Sequence, residues 1–132
     1  MIKLFSKYKF LFYLCNSILI ILYLYPGSIL GWFLYKDSSV QPQITPNLLI
    51  ISFNHVCAFL ILSFVGFFTY KKIVELKFLS IYLILLSITL EILHYFIPER
   101  SFEFSDLFGN LVGVTIVIII FYLFKKNENF KN

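Results

Sequence analysis

The order of apolar and polar positions divides this chain into four long apolar runs separated by short polar segments. A helix needs about 20 apolar residues to cross the hydrocarbon core of a membrane, and the four runs approach that length. The pattern predicts membrane helices at about residues 9–25, 48–70, 78–97 and 107–124. A shorter aromatic stretch at about residues 28–35 is predicted to lie at the membrane interface.

Prolines and charged residues set the predicted ends of these helices. Pro26 and Gly27 break the first helix, since proline lacks an N–H and glycine favours turns. Pro98 stops the third helix in the same way. Residues 125–132 contain too few apolar side chains to fold alone and are predicted to form a cytoplasmic tail. Residues 1–25 are interpreted as a retained helix, because no small-residue cleavage site follows them.

Composition favours a membrane protein over a soluble one. Of the 132 residues, 60% are hydrophobic and 14% are charged, and the mean hydropathy is +0.88. A soluble domain of this size leaves much of its surface in water and could not hide so much apolar area. We therefore predict an all-α, polytopic four-helix membrane bundle that forms a single domain over residues 1–132.

Basic residues predict the orientation of the bundle. Only Lys36 and Arg100 fall on one side of the predicted membrane, and the other nine of the 11 fall on the opposite side. The positive-inside rule then places both termini in the cytoplasm. The net charge of +4 does not indicate a nucleic-acid partner, because the basic residues form short clusters rather than a stripe. The nine are Lys3, Lys7, Lys9, Lys71, Lys72, Lys77, Lys125, Lys126 and Lys131.

Two ionisable residues are predicted to lie at one depth below the outer face. Glu91 comes seven residues before Pro98, and His55 comes seven residues after Leu48. At 1.5 Å per residue, each is roughly 10 Å from that face. A charged carboxylate at mid-membrane costs about 2.5–3.5 kcal/mol by insertion scales, so Glu91 should turn inward, pair or become neutral. Ionisable groups within a membrane are functional candidates by default.

Other polar residues lie near this depth and on common helix faces. Ser87, Glu91 and His94 lie on one face of the third helix, and Asp106 and Asn110 lie one turn apart on the fourth. The spacing predicts a polar seam between these two helices. Structural roles remain open for single residues: His55 could be a packing residue, Glu91 could be half of a structural ion pair, and Asp106 could be an N-cap.

Small residues on the fourth helix predict a close helix contact. Gly109 and Gly113 form a G-x-x-x-G pair, which lets another backbone approach. We predict that they pack against the third helix as part of the polar seam. The alternative is that they serve helix packing only. Cys15 and Cys57 fall at different predicted depths and lack the spacing of a metal site, so no disulfide, metal site or cofactor is predicted.

Seven residues keep a regular spacing across the loop that follows the third helix: Glu91, Phe96, Pro98, Arg100, Asp106, Asn110 and Gly113. They resemble the C-terminal signature of the VanZ-like family, which is named for a teicoplanin-resistance membrane protein. That signature joins E-x-x-Q-x-F-x-P-x-R to D-x-x-x-N-x-x-G through a short loop. His55, with Phe59 four residues later, is similar to the histidine of the family's earlier helix. The resemblance covers about residues 45–124.

This chain departs from the family pattern at four positions. His94 stands where glutamine is usual, and Val117 stands where a further glycine often follows. Ile51 and Ser52 take the places of an Asp-Lys pair that commonly precedes the histidine. The resemblance of the helix that contains His55 therefore depends on fewer matching residues than that of the Glu91–Asn110 block.

The resemblance implies a compact four-helix protein of the bacterial inner membrane. Some members of the family are linked to lowered susceptibility to glycopeptides, which bind a lipid-linked cell-wall precursor. No settled reaction comes with the family. The resemblance therefore says more about the fold than about the mechanism.

The first functional hypothesis is an outward-facing polar pocket that binds a membrane lipid or a lipid-linked glycan. Arg100 would bind a phosphate bidentately, while His94 and Asn110 would orient polar groups. This hypothesis requires binding only.

Two further hypotheses differ in class. Catalysis would use His55 or Glu91 as general acid or base, with Asp106 orienting a histidine. The non-enzymatic alternative is a small membrane scaffold or subunit, whose polar seam fixes packing in a homo-oligomer or with a membrane protein partner. The sequence leaves open whether the protein is an enzyme.

Overall fold

A computed structural model describes the backbone of residues 2–43, 51–70 and 72–129, and the side chains of residues 7–43, 51–70 and 72–125. Every regular element in these ranges is helical, which confirms the all-α class. The helices are α1 (Ile2–Leu24), α2 (Ile29–Tyr35), α3 (Phe53–Thr69), α4 (Ile73–Leu93) and α5 (Phe104–Asn129), with a 3₁₀ turn (His94–Phe96) continuing α4.

Three of these helices are long and apolar enough to cross a membrane. The qualifying segments are Lys7–Leu24 in α1, Ile73–Phe96 in α4 with its 3₁₀ turn, and Phe104–Lys125 in α5. The apolar α3 is shorter, at 17 residues. Many large apolar side chains of the long helices face outward, as expected for surfaces in contact with lipid. The chain is therefore a multi-pass membrane protein.

The start of α3 differs from the prediction. We predicted a helix from about residue 48, but residues 51 and 52 are not helical and α3 begins at Phe53, while residues 44–50 lie outside the described ranges. Ser52 has the extended backbone of an N-cap, and its carbonyl accepts the N–H of Val56. His55 consequently lies in the first turn of α3 rather than two turns inside it.

Other helix boundaries also lie outside the predicted limits, and α1 begins at Ile2 rather than near residue 9. The helix predicted from about residue 78 is α4, which starts at Ile73, because the Glu75 carboxylate accepts the N–H of Lys72 and caps the new first turn. The last helix runs to Asn129, so the predicted tail is helical over residues 125–129, and residues 130–132 lie outside the described ranges.

The short α2 matches the aromatic stretch predicted at residues 28–35. The Ser28 hydroxyl accepts the N–H of Gly31 at 2.9 Å and caps the helix. Lys36 ends it in the left-handed conformation, with φ of 59°. Trp32 and Phe33 are exposed on its surface. Its placement at the membrane interface stays a prediction.

Packing is centred on α3, which contacts α1, α4 and α5. The α3–α5 contact is the closest, since a Cβ added to Gly113 would lie 2.5 Å from the Val56 carbonyl oxygen. Apolar side chains from all four helices fill the core: Phe12, Phe59, Leu62, Phe67, Leu79, Leu83, Leu90, Val114 and Val117.

The direction of the chain brings four helix ends together. The last turns of α1 and α4 lie beside the first turns of α3 and α5, as contacts among Tyr23, His55, Glu91 and Asn110 show. The loop of residues 97–103 passes over this end of the protein. Side chains distant in sequence are thus assembled at one end of the helices.

Candidate functional site

A cluster of six polar side chains occupies this end of the protein. Five of the six are buried, and Asp106 is partly exposed, with 16% of its side chain accessible. Each of the four longest helices contributes at least one member. The polar cluster consists of Tyr23, His55, Glu91, His94, Asp106 and Asn110.

His55 is at the centre of the polar cluster, held by partners on both ring nitrogens. Its Nδ1 lies 3.0 Å from the Tyr23 hydroxyl and 3.0 Å from Oδ1 of Asn110. Its Nε2 lies 3.4 Å from Oδ2 of Asp106. A hydrogen bond between the Asp106 carboxylate and the Ser52 side chain adds a further partner from the start of α3. The imidazole is therefore fixed between α1, α3 and α5.

Asp106 has a different structural setting from the N-cap proposed as its simplest role. The helix begins two residues earlier, because the Glu103 carbonyl accepts the N–H groups of Asp106 and Leu107. Asp106 is thus the third helical residue. A carboxylate in the first turn still interacts favourably with the helix dipole. Its side chain is directed at His55 rather than back at the backbone of its own helix.

Asn110 is fully buried, and its amide orientation follows from its neighbours. Nδ2 donates to the Ser87 carbonyl at 3.4 Å, so Oδ1 points the other way. That oxygen accepts a 2.8 Å hydrogen bond from the Tyr23 hydroxyl. Asn110 thereby links α1, α4 and α5, which confirms a polar contact between the third and fourth predicted membrane helices.

Glu91 is fully buried, and only one of its two carboxylate oxygens has hydrogen-bond partners among the described residues. Oε1 accepts the backbone N–H of Glu103 at 3.1 Å and lies 3.3 Å from Nδ1 of His94. The carboxylate thus reaches across from α4 to the N-terminal end of α5, where helix dipoles favour negative charge. Oε2 lies 4.0 Å from Nδ1 of His55 and has no hydrogen-bond partner among the described residues.

His94 is directed inward rather than toward a ligand. Its Nε2 lies 3.1 Å from the Tyr23 carbonyl oxygen, and its Nδ1 faces Glu91. Its ring stacks on that of Tyr23 at 5.8 Å. His94 therefore positions Glu91 and the end of α1, and it does not line the cavity described below.

Arg100 lies at the C-terminal end of α1, in the loop before α5. Its Nη2 donates to the Leu22 carbonyl at 2.9 Å, and its Nε donates to the Tyr25 carbonyl at 3.4 Å. A cation here also complements the negative end of the helix dipole. Burial lowers the pKa of the Arg100 guanidinium, while the nearby Tyr23, Asp106 and Glu91 oppose that shift. A guanidinium keeps its charge under such conditions.

A cavity of about 490 Å³ opens beside the polar cluster. It lies between α1, α2, α3 and the segment that follows α2. Polar groups in its wall come from Tyr23, His55 and Arg100, and also from Ser28, Gln41, Gln43 and Asn54. The apolar wall includes Leu22, Ile29, Leu30, Leu34, Cys57 and Ala58.

The structure brings together most of the residues singled out in the sequence. His55, Glu91, His94, Asp106 and Asn110 share one cluster. Their predicted functional roles remain predictions.

The predicted partner of the glycine pair is wrong. Added Cβ atoms at Gly109 and Gly113 would meet the backbone of Ser52 and Val56, so the pair packs on α3 rather than on the helix that carries Glu91. The helix that carries Glu91, α4, contacts α5 through Asn110 instead.

Sequence reasoning missed Tyr23, which contacts both histidines and Asn110. Tyr23 is one of nine tyrosines in the chain, and most tyrosines near membrane ends simply lie at the interface. The available signal was its position just before Pro26, at the level of the other polar groups. That signal does not separate Tyr23 from Tyr25.

The fold and the polar cluster define an all-helical, multi-pass membrane protein with a buried acid–histidine site beside a cavity. Comparisons with protein-family models, with curated proteins and with solved structures found no match for this chain. Its function is therefore argued below from the geometry of the site.

Proposed function

We propose that this chain is a VanZ-like protein of the bacterial inner membrane that binds a phosphate-bearing amphiphile from the outer side. The ligand would be a lipid-linked cell-wall precursor or a phospholipid. In this proposal the four longest helices form a membrane bundle with both termini in the cytoplasm. Binding of a cell-wall precursor would provide a physical link to glycopeptide susceptibility.

The observation that carries the proposal is the cavity, which combines a cation with apolar walls. Arg100 and His55 lie on its polar side, while Leu22, Leu30 and Leu34 lie on its apolar side. An amphiphile needs both surfaces at once, with its headgroup against the cation and its chain against the apolar residues. The volume of about 490 Å³ suits a headgroup with the first part of a chain.

Arg100 is the proposed phosphate ligand. Guanidinium groups bind phosphate through two parallel hydrogen bonds, and Arg100 uses only Nη2 and Nε in its described contacts with α1. Its anchoring to the Leu22 and Tyr25 carbonyls holds the side chain at the cavity wall. His94 and Asn110 take a supporting role in this proposal, because both are buried behind the wall and hold Glu91 and His55.

A hydrolytic or transfer reaction at the same site is the second candidate function. His55 lines the cavity, and Asp106 lies 3.4 Å from its Nε2. An oriented histidine of this kind can serve as general base or acid toward a bound phosphate or ester. The scaffold alternative loses its main support, because Gly109 and Gly113 are already packed against α3 of the same chain.

Arg100→Lys should reduce the phospholipid or precursor that co-purifies with the protein by about tenfold. Lysine keeps the charge but cannot form the paired hydrogen bonds of arginine, and one charged hydrogen bond contributes about 1.5–3 kcal/mol. The measurement is native mass spectrometry of the detergent-extracted protein, with quantitative lipid analysis of the same sample.

The matched control is Lys36→Gln, which removes a cation from the same end of the protein. Lys36 lies over the Trp32 ring at 4.9 Å and does not line the cavity. Lipid retention should stay at the level of the unmodified protein. Equal retention in the unmodified protein and in correctly folded Arg100→Lys would contradict the proposed role of Arg100.

Reporter fusions test the proposed topology. Green fluorescent protein fused after Asn132 should fluoresce, because it would remain in the cytoplasm. Alkaline phosphatase inserted in the loop at residues 37–40 should be active, because its disulfides form only outside the cytoplasm. The opposite pattern for both reporters would reverse the orientation and place the cavity on the cytoplasmic side.

A further inference from the structure

We propose that His55, Glu91 and Asp106 form a binding site for a divalent transition-metal cation, with an open ligand position toward the cavity. One ligand atom from each of the three residues can be chosen so that all lie within 4.8 Å of one another. The three side chains come from α3, α4 and α5. No sequence motif predicts this site, because its ligands are separated by more than a dozen residues each.

The separation between His55 and Asp106 matches that between two ligands of one metal ion. Four ligands at about 2.0–2.1 Å from a tetrahedral zinc ion lie roughly 3.3–3.5 Å from one another. His55 Nε2 and Asp106 Oδ2 are already 3.4 Å apart. Glu91 is farther away, with Oε2 4.0 Å from Nδ1 of His55, so its carboxylate would have to rotate toward Nε2 to complete the set.

Hydrogen bonding leaves Nε2 of His55 as the metal-binding nitrogen. The Ser87 carbonyl fixes the amide of Asn110, so that Oδ1 faces His55. The Tyr23 hydroxyl gives its proton to that oxygen, so the contacts of Nδ1 at 3.0 Å require a proton on Nδ1. In a neutral imidazole the lone pair is then on Nε2.

That lone pair faces a carboxylate oxygen of Asp106. Two electron-rich atoms 3.4 Å apart repel unless a proton or a metal cation lies between them. A cation at Nε2 also explains the hydrogen bond at Nδ1, because metal-binding histidines usually donate their second N–H to an oxygen. Asn110 provides that oxygen here.

Glu91 supplies an independent observation that points to a ligand. Its side chain is fully buried, and Oε2 has no hydrogen-bond partner among the described residues. Burying a carboxylate oxygen without a partner is costly. The other oxygen is already used by His94 and the Glu103 N–H, so only Oε2 is directed at the His55 side. Coordination of a cation would satisfy this atom.

The donor set indicates the class of metal. One imidazole and two carboxylates suit Zn²⁺ or Mn²⁺, whereas Mg²⁺ and Ca²⁺ prefer oxygen alone. Three protein ligands leave at least one position free, as in catalytic zinc sites. Of the three proposed ligands, His55 also lines the cavity, so the proposed cation would lie beside it. The cation would then lie where a ligand in the cavity could reach it.

Metal content of the purified full-length protein tests this inference directly. After removal of any affinity tag and equilibration with Zn²⁺ or Mn²⁺, the protein should retain about one cation per chain, as measured by inductively coupled plasma mass spectrometry. Glu91→Gln and Asp106→Asn should each weaken binding at least about tenfold. Co²⁺ substitution should give d–d absorption bands with the intensity of a four- or five-coordinate site.

Glu103→Gln is the matched control, since it removes a carboxylate next to the site but keeps the backbone N–H that donates to Glu91. Its metal content should equal that of the unmodified protein. X-ray absorption of the unmodified protein, which needs no variant to fold, should show a first shell of nitrogen or oxygen ligands and the outer-shell scattering of one imidazole. No retained cation, or equal retention in folded Glu91→Gln, would overturn the inference.

The metal assay needs no lipid, so it is separate from the proposed amphiphile binding. Loss of lipid retention in Arg100→Lys with normal metal content would support both conclusions. If the protein retains the metal but Arg100→Lys retains as much lipid as the unmodified protein, the cation site stands and the proposed role of Arg100 in lipid binding fails.

Discussion

Replacing Gly113 by alanine should push α5 away from α3 and destabilise the protein by about 3 kcal/mol or more. The new Cβ would lie 2.5 Å from the Val56 carbonyl oxygen and 2.9 Å from the Leu60 backbone nitrogen. Backbone atoms of a packed helix cannot rotate away as a side chain can, so the two helices must separate. Thermal unfolding in detergent, followed by helical circular dichroism, should show a midpoint lower by about 10 °C.

Gly66→Ala is the matched control, because it adds the same methyl group to a buried helical glycine. There the Cβ would meet Cε2 of Phe12 at 2.9 Å and the ends of the Leu79 side chain at 3.1 and 3.3 Å. Leu79 can adjust, and alanine gains about 1 kcal/mol of helix propensity over glycine. We expect a change within about 1 kcal/mol in either direction. Equal destabilisation by the two variants would show that the close α3–α5 approach is not the determining contact.

Asn110→Leu should have the second large effect, with a cost of about 3 kcal/mol. Leucine has a similar size but no polar atoms, so the Tyr23 hydroxyl loses its acceptor and Nδ1 of His55 loses an oxygen partner. Each buried polar group left unpaired costs about 1–3 kcal/mol. The loss should appear as lower thermal stability and as a weaker contact between α1 and the start of α3, measured by cysteine crosslinking between those segments.

A second tyrosine–asparagine hydrogen bond provides the control for this prediction. The Tyr82 hydroxyl donates to Oδ1 of Asn16 at 2.9 Å, on the outer surface between α1 and α4. Asn16→Leu removes one hydrogen bond and adds apolar surface, so its cost should stay near the average of about 0.6 kcal/mol measured for interhelical bonds in membranes. Similar costs for Asn16→Leu and Asn110→Leu would mean that the polar cluster contributes no more than an ordinary surface pair.

Both predictions concern the contact between α5 and the first turns of α3. Gly109 and Gly113 bring α5 against the first turns of α3, and this approach sets Asp106 and Asn110 beside His55. A larger residue at either glycine would therefore change the site as well as the packing. The proposed cation would act in the same direction as the glycine contact, because its ligands would tie α3, α4 and α5 together.

Much of the helical structure was predictable because it follows from local sequence. Runs of about 20 apolar residues identify membrane helices, and Pro26 and Pro98 limit two of them. Helix starts were predicted less well. Capping by Glu75 and by the Glu103 carbonyl moved two starts toward the N-terminus, and Ser52 moved another toward the C-terminus. These contacts involve one side chain and two backbone carbonyls, and hydropathy detects neither kind of group.

The sequence by itself determined that the protein is helical and membrane-spanning, and that Glu91, His94, Asp106 and Asn110 are polar groups near one end of two helices. Hydrophobic runs and the 3.6-residue period suffice for this, since both are local properties of the chain. The apolar surface surrounds each long helix, so the pattern does not say which helices touch.

Only the tertiary structure decided that the glycine pair contacts α3, that Tyr23 joins the polar cluster, and that Oε2 of Glu91 is left facing His55. In lipid, neighbouring helices are chosen by close packing and by a few interhelical hydrogen bonds rather than by a hydrophobic face. Those choices depend on shapes that meet across the whole chain, and no local pattern contains them.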